Sequence, residues 1–187
     1  MKASITSNAF VRFILSAGLL YLVLYLVYQF VVKRYTYYDQ AFIGSIINAA
    51  EQFLHLIGYK TFKVLQDRDV QVIGIDGSNG VWIGSNCNAL KLFGLFSVFI
   101  IAYPGNQRDK WWYIPAGIVA IHLLNIIRVS MLAIIANYDY TWLDFNHTYT
   151  FNFLVYGFIF LLWMIWVNRF AKTKNVRERG LSDSSQQ

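Results

Sequence analysis

Four apolar stretches constrain this sequence more than any other feature. They run from about Phe13 to Val32, from Asn88 to Tyr103, from Trp112 to Ala136 and from Phe151 to Val167. About 20 apolar residues cross the roughly 30 Å of bilayer hydrocarbon as a helix. Within lipid each segment must also satisfy its own backbone hydrogen bonds, which favours helices. Composition agrees, since 57% of the residues are hydrophobic and only 14% are charged, against about 25% charged in an average soluble chain. A length of 187 residues fits one integral membrane domain, 1–187. The first stretch exceeds the roughly 7–15 apolar residues of a signal peptide. Lys33-Arg34-Tyr35, which follows it, lacks the small residues of a cleavage site, so the stretch is read as a retained anchor.

The distribution of Lys and Arg sets the expected orientation. Lys2 and Arg12 precede the first stretch, Arg108 and Lys110 follow the second, and Arg169, Lys172, Lys174, Arg177 and Arg179 lie at and beyond the end of the fourth. The segment 137–150 has no Lys or Arg, and the charges of 33–86 balance. Both termini, the Pro104-Gly105-Asn106 loop and a basic tail, 168–187, are therefore expected on the cytoplasmic side of the inner membrane. The outer segment 33–86 and the loop 137–150 are expected on the other side. The net charge of +6 is accounted for by this membrane pattern, and no nucleic-acid partner is expected.

The outer segment has order of its own. Between Gln40 and Ile57, Phe42, Ile46, Ala49, Phe53 and Leu56 recur at helical spacing, which predicts an amphipathic helix on the membrane or over the bundle. Val70–Ile75 and Val81–Ile83, joined by Asp76-Gly77-Ser78-Asn79-Gly80, predict a β-hairpin. The expected fold is an all-α membrane protein: a four-helix transmembrane bundle with an extracytoplasmic amphipathic helix and a small β-hairpin.

Polar groups inside such helices are costly and mark candidate sites. His122, Asn125 and Arg128 succeed one another at intervals of three in the third stretch, so they are surface neighbours on that helix. Cys87 lies at the outer start of the second stretch and His147 just before the fourth. Topology brings Cys87, Arg128 and His147 to one membrane face. Each also has a plain reading: a small packing thiol, a snorkelling arginine, a solvated histidine. His122 reads as a buried hydrogen-bonding residue, Asn125 as a support for Arg128, and Lys91 as a cation near Cys87 or a residue reaching the headgroups.

Together the trio suits acyl transfer. A thiol attacks as its thiolate, and a cation or a helix N-terminus lowers its pKa. The guanidinium offers planar N–H donors to an oxyanion, and an imidazole can protonate the departing amine near neutral pH. Water or an amine can resolve the thioester. A single cysteine offers no disulfide and no paired-thiol redox chemistry. No metal and no cofactor is expected.

The motifs Gly84-Ser85-Asn86-Cys87-Asn88-Ala89-Leu90-Lys91, Tyr103-Pro104-Gly105, Asn125-Ile126-Ile127-Arg128-Val129 and Asn146-His147 resemble those of the exosortase/archaeosortase family. The resemblance covers most of the chain and is strongest from about Ile73 to Arg169. It implies a multi-pass cysteine peptidase or transpeptidase. Its substrates would be proteins ending in a sorting signal, composed of a short motif, a transmembrane helix and a basic tail. By the same resemblance Cys87 is the nucleophile, Arg128 stabilises the oxyanion, His147 is the general acid/base, and Asn125 and Lys91 are supporting. Two features depart from the pattern. Full-length members often have about eight spanning helices against four here, and Ala89 stands where many have glycine. The competing reading is a non-enzymatic assembly or scaffold subunit of the membrane. A thiol oxidoreductase lacks its second cysteine, and a transporter lacks any visible inverted repeat.

Overall fold

The computed structural model describes residues 3–32, 36–65, 71–84, 87 and 89–171. The part of the basic tail beyond Ala171 lies outside them. Helices predominate: α1 (Ala3–Val27), extended by a wide turn over Tyr28–Val32; α2 (Thr36–Leu56); α3 (Leu90–Ala102); and α4 (Gln107–Tyr138). A tight turn (Tyr140–Trp142), a short α5 (Leu143–Phe145), a wide turn (Asn146–Thr150) and α6 (Phe151–Ile165) complete the order, with a final wide turn over Trp166–Ala171. Three strands lie between α2 and α3: β1 (Thr61–Leu65), β2 (Gln71–Ile75) and β3 (Val81–Ile83).

Three helical stretches are long and apolar enough to cross a membrane: Phe13–Phe30, Gln107–Tyr138 and Tyr140–Phe170. The second apolar stretch of the sequence yields only the 13 residues of α3, about 20 Å at 1.5 Å per residue. Its limits are local. Ala89 adopts a left-handed conformation at one end, and Tyr103 turns extended ahead of Pro104 at the other. The buried Lys110 ammonium donates to the carbonyls of Ile101 and Tyr103, each over 2.8 Å, and so caps the C-terminal end of α3.

α3 packs against α1, α4 and α6. Phe96, Ile100, Tyr113, Ile121, Val155, Ile159 and Trp166 form the core between α3, α4 and α6. Tight approaches build this core. A Cβ at Gly117 would strike the Phe96 ring, and one at Gly105 would strike the Trp166 indole. Along α1, Phe13 sets its ring edge-on to Phe99 and Tyr103, while Ile14, Leu15, Leu19, Leu22 and Val23 of this helix face outward.

α2, the strands and the end of α4 form a second core. The last turns of α4 contribute Val129, Leu132, Ala133 and Ala136, α2 contributes Ile43, Ile46, Ile47, Ala50 and Leu54, and the strands contribute Ile73, Val81 and Ile83. α2 therefore caps the bundle, and its inward face is displaced from the expected one. Leu56 is 85% exposed, and Ile43, Ile47, Ala50 and Leu54 take the buried positions because α2 is held between α4 and β2.

The expected hairpin is present as β2 and β3, with Val72 opposite Trp82. A third antiparallel strand, β1, adds to its edge and pairs Thr61 with Ile75. Lys63 fixes this strand to α2 through Glu51 (2.8 Å) and Asn48 (2.9 Å). Gly77 takes a φ of 88° in the reversal after β2, a conformation that glycine adopts without steric cost.

Candidate active site

The polar residues singled out in the sequence lie where the two cores meet. Cys87 sits between β3 and α3, outside the spanning helices. Its backbone N–H donates to the Gly84 carbonyl over 2.8 Å, which closes a tight turn, and its side chain is 4% exposed. His147 belongs to the wide helical turn Asn146–Thr150, where the sequence had suggested a loop. This turn aims the imidazole back at α3, so that Nε2 lies 3.2 Å from Cys87 Sγ. Sixty residues separate the two in the chain.

Arg128 is 5% exposed, in the middle of α4. Its positive charge acts on the Cys87 thiol. One terminal nitrogen, Nη2, donates to Asn152 Oδ1 at the long distance of 3.5 Å, and Asn152 is oriented by donating to Thr148 O over 2.8 Å. Asn152 is a site residue that the sequence reading passed over. The available signal was an amide near the start of an otherwise apolar helix, a costly placement in lipid.

Asn125 does not hold Arg128. Its Nδ2 donates to the carbonyl of Cys87 over 2.8 Å, so it fixes the backbone that carries the thiol. The three-residue interval puts Asn125 and Arg128 on adjacent ridges, but α3 approaches the first and α6 the second. His122 lies one turn deeper, its ring against Phe42 and Phe93 with centroids 5.6 and 6.3 Å away. Lys91 holds its ammonium 5.7 Å from the centroid of the Tyr28 ring, at the end of α1, which favours a cation. Among the described residues, Arg128 Nε, Asn125 Oδ1 and His122 Nδ1 are buried without a hydrogen-bond partner.

The thiol does not have the lowered pKa expected from a neighbouring cation. Burial pushes it up, and this outweighs the Arg128 charge and a backbone hydrogen bond at Gly84, both of which pull it down. The physical reason is that low-dielectric surroundings disfavour the charged thiolate. With the imidazole proton on Nδ1, the thiol donates to Nε2, the geometry a general base needs.

Ala89 has a φ of 59°, in the left-handed region where a Cβ is crowded. Comparison with protein-family models, with curated proteins and with solved structures gives no match.

Proposed function

We propose that this chain is a membrane-embedded cysteine peptidase or transpeptidase, in which Cys87, His147 and Arg128 perform acyl transfer. The observation that carries the reading is the 3.2 Å approach of Cys87 Sγ to His147 Nε2, made by residues that no local structure forces together. A buried guanidinium whose field reaches the same thiol supports the third role.

The reaction balances as follows. His147 Nε2 takes the thiol proton as the sulfur attacks a peptide carbonyl. The S–C bond forms, and the carbonyl oxygen becomes an oxyanion facing the Arg128 N–H donors. Collapse of this intermediate breaks the C–N bond, and the departing amine takes the proton from His147. A thioester on Cys87 remains. Water resolves it to an acid, or an amine resolves it to a new amide. Asn125 acts as a positioning residue through the Cys87 carbonyl.

In this reading the apolar stretch 88–103, of which α3 is the helical part, crosses the membrane as one of four spans, with Cys87 outside its outer end. Both termini are cytoplasmic, and the site opens on the outer face of the inner membrane. The substrates are exported proteins that end in a motif, an apolar helix and a basic tail, consistent with the resemblance to exosortases. The test is co-expression with such a substrate. Cys87→Ala is expected to abolish processing while remaining in the membrane, and wild type is expected to yield a thioester adduct trapped on Cys87. Processing by Cys87→Ala at the wild-type rate refutes the reading and leaves a scaffold subunit.

A further inference from the structure

Arg128 carries a charge it cannot lose, in a side chain that is 5% exposed. Among the described residues no carboxylate forms an ion pair with it; the ion pair present joins Lys63 to Glu51. Its Nε has no partner, and Nη2 reaches only Asn152 Oδ1, at 3.5 Å. A cation removed from water without a counter-charge is unfavourable, and an anion beside it offsets that cost.

A cavity of about 80 Å³ opens beside this guanidinium. Arg128, Asn152 and Lys91 supply its polar groups, and Ala89, Val155 and Tyr156 supply apolar walls. Neither Cys87 nor His147 lines it, so it adjoins the reacting pair without containing it. Tyr156 is exposed on α6, the helix whose Phe153 and Phe160 also face outward. Tyr28 and Lys91 lie together at the end of α1. Exposed aromatic rings beside a cation suit the headgroups of a bilayer.

We infer that this cavity is a phosphate-binding subsite, in which the Arg128 guanidinium, aided by Lys91 and Asn152, takes the phosphate of a lipid headgroup or a free phosphate ion. The planar fork of arginine matches two phosphate oxygens, and the cavity lies between the start of α3 and α6, beside the exposed Tyr156. The inference does not depend on the proposed reaction. It bears on it, because a phosphate held on Arg128 cancels the field that favours the Cys87 thiolate.

Cys87 is the single cysteine of the chain, so its alkylation by neutral iodoacetamide reports that field. The protein is purified in maltoside in a phosphate-free buffer. Inorganic phosphate, or phosphatidic acid in mixed micelles, is titrated against potassium chloride of equal ionic strength. Saturable slowing of wild type by roughly tenfold is expected, because an anion beside Arg128 lowers the thiolate fraction at Cys87. Arg128→Gln is expected to lose the response. Asn152→Asp is expected to lose it as well, because its carboxylate occupies the guanidinium while the arginine and the side-chain shape are kept. Slowing by inorganic phosphate means that the free ion suffices, and slowing by phosphatidic acid alone identifies the headgroup as the source. No slowing of wild type by either, or a full response retained by Asn152→Asp, overturns the inference.

Discussion

Asn125 Nδ2 donates to the carbonyl oxygen of Cys87 over 2.8 Å, joining the middle of α4 to the turn that presents the thiol. Removing the amide leaves a buried carbonyl without its donor, which costs about 1–3 kcal/mol. Asn125→Leu is therefore expected to lower the thermal midpoint of the detergent-solubilised protein. It is also expected to change the alkylation rate of Cys87, because the turn is no longer fixed. A leucine variant matching wild type in both would show that the hydrogen bond contributes nothing to the site.

Burial holds the Cys87 thiol above its ordinary value, against the pull of Arg128 and the Gly84 backbone. The folded protein thus binds this proton more tightly than the unfolded chain does. The stability contributed by this group is present below the ordinary thiol pKa of about 8.5 and is lost as pH rises through the raised value. Alkylation of the folded protein should accordingly climb at higher pH than that of a short peptide carrying the same cysteine. Arg128→Gln, lacking the opposing charge, should move the climb higher still. A folded-protein profile at or below that of the peptide would contradict the dominance of burial.

Ala89 occupies a left-handed conformation, with φ at 59°, at the start of α3. The steric cost for a residue with a Cβ is roughly 1–2 kcal/mol, and glycine removes it at the expense of some unfolded-state entropy. Ala89→Gly is expected to raise stability by about 0.5–1 kcal/mol, whereas Ala89→Val, with a branched Cβ in this conformation, should lower it. Midpoints of thermal unfolding for the two variants should move in opposite directions. A destabilised glycine variant would exclude strain at this turn.

Lys110 is buried and bonds the carbonyls of Ile101 and Tyr103. Lys110→Met keeps the side-chain length and removes the donors. Hydrogen bonds from charged groups are worth about 1.5–3 kcal/mol each, so a loss of that order is expected in chemical unfolding. The effect should fall on stability, with the residual folded fraction alkylated at the wild-type rate, since Lys110 lies at the opposite end of α3 from Cys87.

Much of the architecture was legible in the sequence because its cause is local. The apolar runs of α1, α4 and α6, the alternation in β2 and β3 and the helical spacing in α2 all act over a few residues. Three things escaped. The strand Thr61–Leu65 has a mixed pattern, and it becomes a strand through pairing with β2. The buried face of α2 depends on the helix and sheet that flank it. Asn152 becomes a site residue only because α6 packs its amide against Arg128 on α4.

By itself the sequence determined that the chain has helices long and apolar enough to cross a membrane and that it offers a thiol, a guanidinium and an imidazole as candidate groups, because hydrophobicity and polar interruptions act segment by segment. Only the tertiary structure decided that Cys87 and His147 meet, that Asn125 serves the thiol's backbone and that Arg128 is left beside a cavity with Asn152. Those outcomes depend on how α3, α4 and α6 pack against one another. The same packing set the balance at the thiol, where desolvation outweighed a neighbouring charge that the sequence alone had suggested would prevail.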